Sequence, residues 1–187
     1  MWRGRFDEAL HESERVRQLD PLSLIIATDN GAILFFSRQY DRAIEKLRAV
    51  RELDPSFPRV GGLIVRAYEQ KGMFPDALAD LEKSHPVYNS WTCSELAYIY
   101  GRTGQEAQAG LALAKLEQLN RRQPMDPVVF VGPYIGMDNK DQAFFWLNKA
   151  YAQHSDELTG LKVDPLYDPL RGDPRFQDLL RRVGLSQ

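Results

Sequence analysis

The sequence predicts an all-α chain built as a solenoid of antiparallel helix pairs, and three observations carry that reading. Phe6, Ala9, Leu10, Leu19, Asp20 and Pro21 stand in register with Tyr40, Ala43, Ile44, Leu53, Asp54 and Pro55, and Phe74, Ala77 and Leu78 repeat the first half of the set. The resulting period, 34 residues from Phe6 to Tyr40 and again to Phe74, is that of stacked helix–turn–helix units. Between these markers the apolar residues recur at helical spacing, and glycine or proline falls where each helix should stop.

Composition narrows the function classes. The chain has 187 residues, enough to bury a continuous core without disulfides. Its 24 basic and 26 acidic residues give a net charge of -2, which supplies no general field for nucleic acid or an anionic membrane. The longest apolar stretch, Leu22 to Phe36, is broken by Thr28, Asp29 and Asn30 and is too short to cross a bilayer. No secretory leader precedes the first amphipathic segment, so a cytoplasmic location is expected. Cys93 is the single cysteine, which excludes an internal disulfide or a thiolate cluster.

Taken in order, residues 4–19 read as a helix with Phe6, Leu10, Val16 and Leu19 on its apolar side, ended by Asp20-Pro21 because proline disfavours the helical region for the residue before it. This is the second helix of a pair whose first helix is absent. That absence leaves Trp2, Phe6 and Leu10 partly uncovered, which suggests either a chain cut from a longer protein or a homodimer formed through those residues. Residues 22–36 and 40–53 form the first full pair, with Gly31 expected where the helices approach closely and Ala43 as its small counterpart. Asn30-Gly31 alone would signal a turn, but a turn there would strand Ile33, Leu34 and Phe35. The next pair, 58–71 and 75–84, is joined at Gly72 and ended by His85-Pro86; Gly61-Gly62 reads as tight packing or as the floor of a binding groove. Residues 90–102 and 105–121 follow, turning at Gly104, and the spacing from Ala77 to Ala109 slips to 32 before Ala109 to Ala143 restores 34. The last pair is 126–136 and 140–153, with Pro133 kinking or shortening its first helix. Leu161 to Phe176 reads as an extended segment broken by prolines, leading to a capping helix from Pro174 to about Val183 between Asp173 and Gly184. The expected domains are a repeat array over 1–156, about four and a half units, and a cap over 157–187.

Catalytic or metal chemistry finds little purchase. His11, His85 and His154 have no partner at ligand spacing, and Cys93 falls on an apolar helix side as a small core residue. Asp138-Asn139-Lys140-Asp141 lacks the glycine and distal glutamate of a calcium loop and reads as a turn and helix cap. Phosphate-cradle and hydrolase motifs are absent, so no cofactor and no enzyme activity are expected. Tyr100, Tyr134, Phe144 and Trp146 read as core, and the pairs Arg121-Arg122 and Arg181-Arg182 as solvated helix ends.

Across residues 3–153 the chain resembles the tetratricopeptide repeat family, carried by Gly4-Arg-Phe6-Asp-Glu-Ala9-Leu10 with Asp20-Pro21, Tyr40-Asp-Arg-Ala43-Ile44 with Asp54-Pro55, and Gly72-Met-Phe74-Pro-Asp-Ala77-Leu78. Its C-terminal part also resembles the end of repeat regions in bacterial multidomain signalling proteins. The resemblance implies a right-handed superhelix whose first helices line a concave groove for a peptide or partner protein. Its inner positions here would be Ile25, Thr28, Ala32 and Phe35, then Arg59, Gly62, Arg66 and Glu69, then Trp91, Ser94, Tyr98 and Arg102. Thr28, Ala32, Gly62 and Arg66 do not assemble the family's carboxylate clamp for chaperone tails. The expected function is a non-catalytic interaction scaffold, with Arg66 and Arg102 orienting an acidic segment, Trp91 and Tyr98 burying its apolar side chains, and Phe35 and Glu69 completing the groove. The alternative it implies is a regulatory or sensory end of a larger signalling protein acting on another domain of the same chain.

Overall fold

The computed structural model describes residues 4–57, 59–84 and 89–185. Trp2 of the predicted homodimer surface and the helix end predicted at His85-Pro86 lie outside the described residues. Every regular element among those described is helical, and the chain forms two compact units, Met1–Pro86 and Val87–Gln187.

The first unit contains α1 (Phe6–Leu19), α2 (Leu24–Phe36), α3 (Tyr40–Leu53), α4 (Val60–Gln70) and α5 (Phe74–Ser84). Each helix packs on the next, and α2 also touches α4. Phe35, Leu34, Leu47, Ile64 and Leu81 fill the core, with Ala43 and Ala77 wholly buried. Ser23 starts α2 by accepting from the Ile26 N–H, and the Thr28 hydroxyl donates to the Leu24 carbonyl at 2.7 Å, which lets a polar residue sit inside. The helix runs through Asn30-Gly31 as the repeat register requires. The close approach predicted at Gly31 is present, but its counterpart is Leu47 rather than Ala43: a Cβ on Gly31 would lie 2.6 Å from the Leu47 side chain. Val16 and Leu19, expected on the inner side of α1, are exposed, and α1 buries no residue because its neighbour α2 covers one side of it.

The second unit contains α6 (Ser90–Arg102), α7 (Glu106–Arg122), a 3-10 turn over Pro127–Phe130 leading into α8 (Val131–Gly136), α9 (Lys140–Ala152), further 3-10 turns at Asp156–Gly160 and Pro165–Leu170, and α10 (Pro174–Val183). Here α6 packs on α7 and α8, α8 on α9, and α9 on α10. Pro133 has the predicted shortening effect. Proline lacks an N–H and crowds the carbonyl four residues earlier, so Val129 cannot take part in a regular helix there. Its carbonyl accepts instead from the Ser94 hydroxyl of α6 at 2.7 Å.

The repeat is also a repeat of backbone shape. Gly4, Arg38, Gly72, Gly104 and Asp138 all have φ between +53° and +78°, spaced 34, 34, 32 and 34 residues apart like the sequence motif itself. At the last four, the N–H one residue further on reaches back to close the preceding helix: Gln39 to Leu34, Met73 to Tyr68, Gln105 to Tyr100 and Asn139 to Tyr134, at 2.8 to 2.9 Å. The unit keeps this turn even where Arg38 and Asp138 replace glycine. The exits from α1, α3 and α7 repeat too, with Asp20, Asp54 and Gln123 leaving the helical region at φ of -136° to -143° before a proline. Asp54 then accepts from the Ser56 hydroxyl and N–H, which holds its carboxyl below the usual range.

The segment predicted as extended is not. Ser155 and Asp164 each cap a 3-10 turn, with Pro165 in the first position of the second, and the turns bury Leu158, Leu161, Val163, Tyr167 and Leu170. Prolines exclude longer helix but are compatible with one-turn 3-10 pieces, and the apolar spacing between them places five side chains inside. The final helix forms as expected: Asp173 accepts from the Arg175 N–H at 2.9 Å, and Gly184 adopts φ +80° as the Leu185 N–H closes on Leu180.

Asp173 also receives the Arg175 guanidinium at 2.8 Å, and that pairing lowers its pKa to about 2. A depressed folded-state value means the carboxylate's contribution is complete above its ordinary value of 3.8 and is lost as pH falls toward 2. Asp173→Asn keeps a capping oxygen but removes the charge. The acid branch of the stability profile, read as urea midpoints from neutral pH down to about 2, should therefore be shallower in the variant than in the wild type. Parallel profiles would refute the assignment.

Candidate functional site

The sequence-predicted groove residues lie on α2 and α4 of the first unit and on α6 of the second. In the first unit, Thr28, Ala32, Phe35 and Glu69 are buried rather than groove-lining. Residues 28, 32 and 35 are separated by four and three positions, which makes one helical stripe, and the packing of α2 against α1, α3 and α4 leaves that stripe buried. Phe35 is 0% exposed, packed edge-on against Phe36 at 5.1 Å and near Tyr40 at 5.8 Å. The Arg66 guanidinium lies over its ring with Cζ 5.0 Å from the centroid, so these two predicted residues do meet, with Phe35 beneath and Arg66 above. The accessible surface is made by Ile25, Asp29, Arg59, Gly61, Gly62 and Arg66. Arg59 reaches across from the start of α4 to Asp29, Nη1 to Oδ1 3.3 Å. Asp29 is missing from the predicted set, although its place one helical turn after Ile25 could have found it.

In the second unit Asn89 caps α6, accepting from the Thr92 N–H at 2.9 Å, and so sets the helix register. Tyr98 is buried and its backbone lies against Gly136 of α8, while the Ser94 hydroxyl donates to the Val129 carbonyl in the 3-10 turn. Trp91 is partly accessible and Arg102 exposed.

Cys93 is 1% exposed in a cluster with Leu116 and Phe130, and burial raises its thiol pKa. Burial likewise raises the Tyr134 hydroxyl. Trp146 stacks on Phe130 with centroids 4.1 Å apart, and Phe144 is buried, both in core roles as predicted. Asn139 caps α9 by accepting from the Gln142 N–H, as expected of a turn rather than a calcium loop. His11 is exposed beside Glu12, His154 occupies an exposed left-handed position, and His85 lies outside the described residues. Among the described residues no cluster of His, Cys, Asp or Glu could hold a metal ion, and no helix is long and apolar enough to cross a membrane.

Two of the four arginines expected to be merely solvated behave as stated, and one does not. Arg121 pairs loosely with Glu117 at 3.8 Å, and Arg181 with Asp178 on its own helix. Arg182 instead ties α10 to α9: it donates to Asn148 at 2.9 Å and lies over the Tyr151 ring at 4.2 Å.

A further polar assembly, absent from the sequence reading, lies on α3, α4 and α5. Arg51 pairs with Asp80, both largely buried, while Arg48 donates to the Tyr68 hydroxyl and Lys71 pairs with Asp41. These pairs are 29, 20 and 30 residues apart, so no local pattern announces them.

No protein-family model matches the chain, and a search of curated proteins finds no match.

Proposed function

We propose that the chain is a non-catalytic interaction scaffold of tetratricopeptide type, whose first helices bind an acidic peptide or a partner-protein segment. The observation that carries this reading is the coincidence of two periodicities. The small residue of the motif, Ala43, Ala77, Ala109 and Ala143, is 0% exposed in the second helices α3, α5, α7 and α9, while Ala9 of α1 is half-buried, and the left-handed turn residues follow the same spacing. Contacts of α2 with α4 and of α6 with α8 support the side-by-side first helices that such units require.

The accessible side of those helices has the chemistry of a protein-binding surface. In the first unit Arg66 is braced on the Phe35 ring and Arg59 stands at the start of the same helix; in the second, Trp91 and Arg102 share α6. Arginine and tryptophan supply a large share of interface energy, and a preformed helical surface avoids ordering costs on binding. Tyr98 and Phe35, being buried, act here as supports rather than contacts.

The test is selection from a random-peptide display library on the purified chain. Enriched peptides should carry Asp or Glu, or a terminal carboxylate, beside an apolar residue. Arg66→Glu should weaken by about tenfold or more the binding of peptides held by the first unit, and Arg102→Glu that of peptides held by the second, each leaving the circular dichroism spectrum unchanged. Enrichment of the same peptides with undiminished affinity on both variants would overturn the proposal.

A further inference from the structure

We infer that the first unit carries a separate site for a small molecule bearing an oxyanion, a carboxylate or phosphoryl group, in the cavity between α3 and α5. That cavity, an open cleft of about 500 Å³, is lined by Arg48, Arg51, Glu52, Pro55, Lys83 and Ser84. Its size suits a small ligand. Its walls suit an anion, since Pro55 is the one apolar residue among the six and three of the others are cations.

Two of these cations are fixed in advance. Asp80 engages Arg51 through both carboxylate oxygens and is itself steadied by the Ser84 hydroxyl, which donates at 3.3 Å. A guanidinium has five N–H donors, and a single carboxylate orients the fork without using all of them. Arg48 is held by the Tyr68 hydroxyl and lies over that ring at 5.8 Å. Lys83 adds an exposed third charge from the last turn of α5, where Ser84 supplies a hydroxyl. Arg48, Arg51 and Lys83 against Asp80 and Glu52 leave one net positive charge. That balance favours a single oxyanion group over a polyanion and gives Glu52 the role of limiting affinity.

The test uses the whole chain and two probes, inorganic phosphate and acetate, each compared with chloride at equal ionic strength in thermal unfolding. A bound anion raises the melting temperature by mass action, and chloride removes the general salt effect. At least one probe should stabilise the wild type beyond chloride, and which one does so distinguishes phosphoryl from carboxylate recognition. Lys83→Gln and Arg48→Gln should weaken apparent affinity by about tenfold, and Glu52→Gln should strengthen it severalfold. Lys83 is exposed, so its variant keeps the test valid even if Arg48→Gln lowers stability through Tyr68. Equal effects of phosphate, acetate and chloride, or an undiminished response in Lys83→Gln, would overturn the inference. Arg66→Glu, which tests the peptide surface, should leave this response intact.

Discussion

Gly136→Ala is expected to cost the second unit roughly 3 kcal/mol, enough to unfold it under conditions where the wild type is folded. A Cβ at position 136 would lie 2.5 Å from the Tyr98 carbonyl oxygen, 2.7 Å from its Cα and 3.0 Å from its carbonyl carbon. All three are backbone atoms of α6, which no rotamer change can move aside. The contact is reciprocal: a Cβ on Gly101 would meet the Gly136 carbonyl carbon at 2.7 Å and the Met137 nitrogen at 2.8 Å. Helix propensity alone makes the opposite prediction, because alanine is favoured over glycine inside a helix by about 1 kcal/mol. The sign of the measured change therefore decides between the two effects. Gly110→Ala in α7, where a new Cβ meets nothing within 4 Å, is the control and should gain up to about 1 kcal/mol. Urea denaturation of both variants reads the outcome, and a Gly136→Ala protein as stable as wild type would refute the backbone-on-backbone contact.

This glycine pair also marks how far the sequence could be read. Gly31 was legible because the repeat register places it opposite a second helix, although not opposite which residue. Gly101 and Gly136 lie on different first helices, and no spacing rule within either helix points to the other. Part of the predicted groove set is buried for a related reason. Register assigns a helical position to a side with an uncertainty of about one residue, or 100° of rotation, and the groove side adjoins the side that packs on the next pair. Tyr98 and Phe35 fall just inside that border, whereas Arg66, Trp91 and Arg102 fall outside it. Long-range ion pairs such as Arg51 with Asp80 leave no mark on local pattern. The left-handed turns at Arg38 and Asp138 were hidden by the absence of glycine, yet the fold imposes them because the neighbouring units share the same path. At the C-terminus, prolines were read as marking an extended segment before the capping helix, when they restrict only the kind of helix that can form.

The C-terminal segment is consequently part of the second unit's core, and Phe176→Ala is expected to cost about 4 kcal/mol. Phe176 is 0% exposed, with Tyr167 at 6.2 Å and the Arg171 guanidinium at 5.7 Å, so it joins α10 to the 3-10 turn before it. Polar ties hold α10 onto α9: Arg175 donates to Asp141 at 2.7 Å and lies over Phe144 at 4.2 Å, and Arg182 contacts Asn148 and Tyr151. These are largely exposed, so each should contribute far less than the buried Phe176 ring. The difference in size is the test of what α10 does. A helix that only shields the end of a stack from water could detach alone, giving a small loss and leaving the rest folded. A helix that completes a core takes the unit with it. Cys93 reports which occurs, because its thiol is buried far from α10 in sequence and is shielded from alkylation while the unit is folded. In Phe176→Ala, alkylation of Cys93 and loss of helical signal should rise together at a denaturant concentration well below the wild-type midpoint, while Arg182→Ala should shift both only slightly. Loss of helical signal from the C-terminus with Cys93 still protected would show that α10 is separable, and the buried side chains of residues 158–180 would then need another explanation.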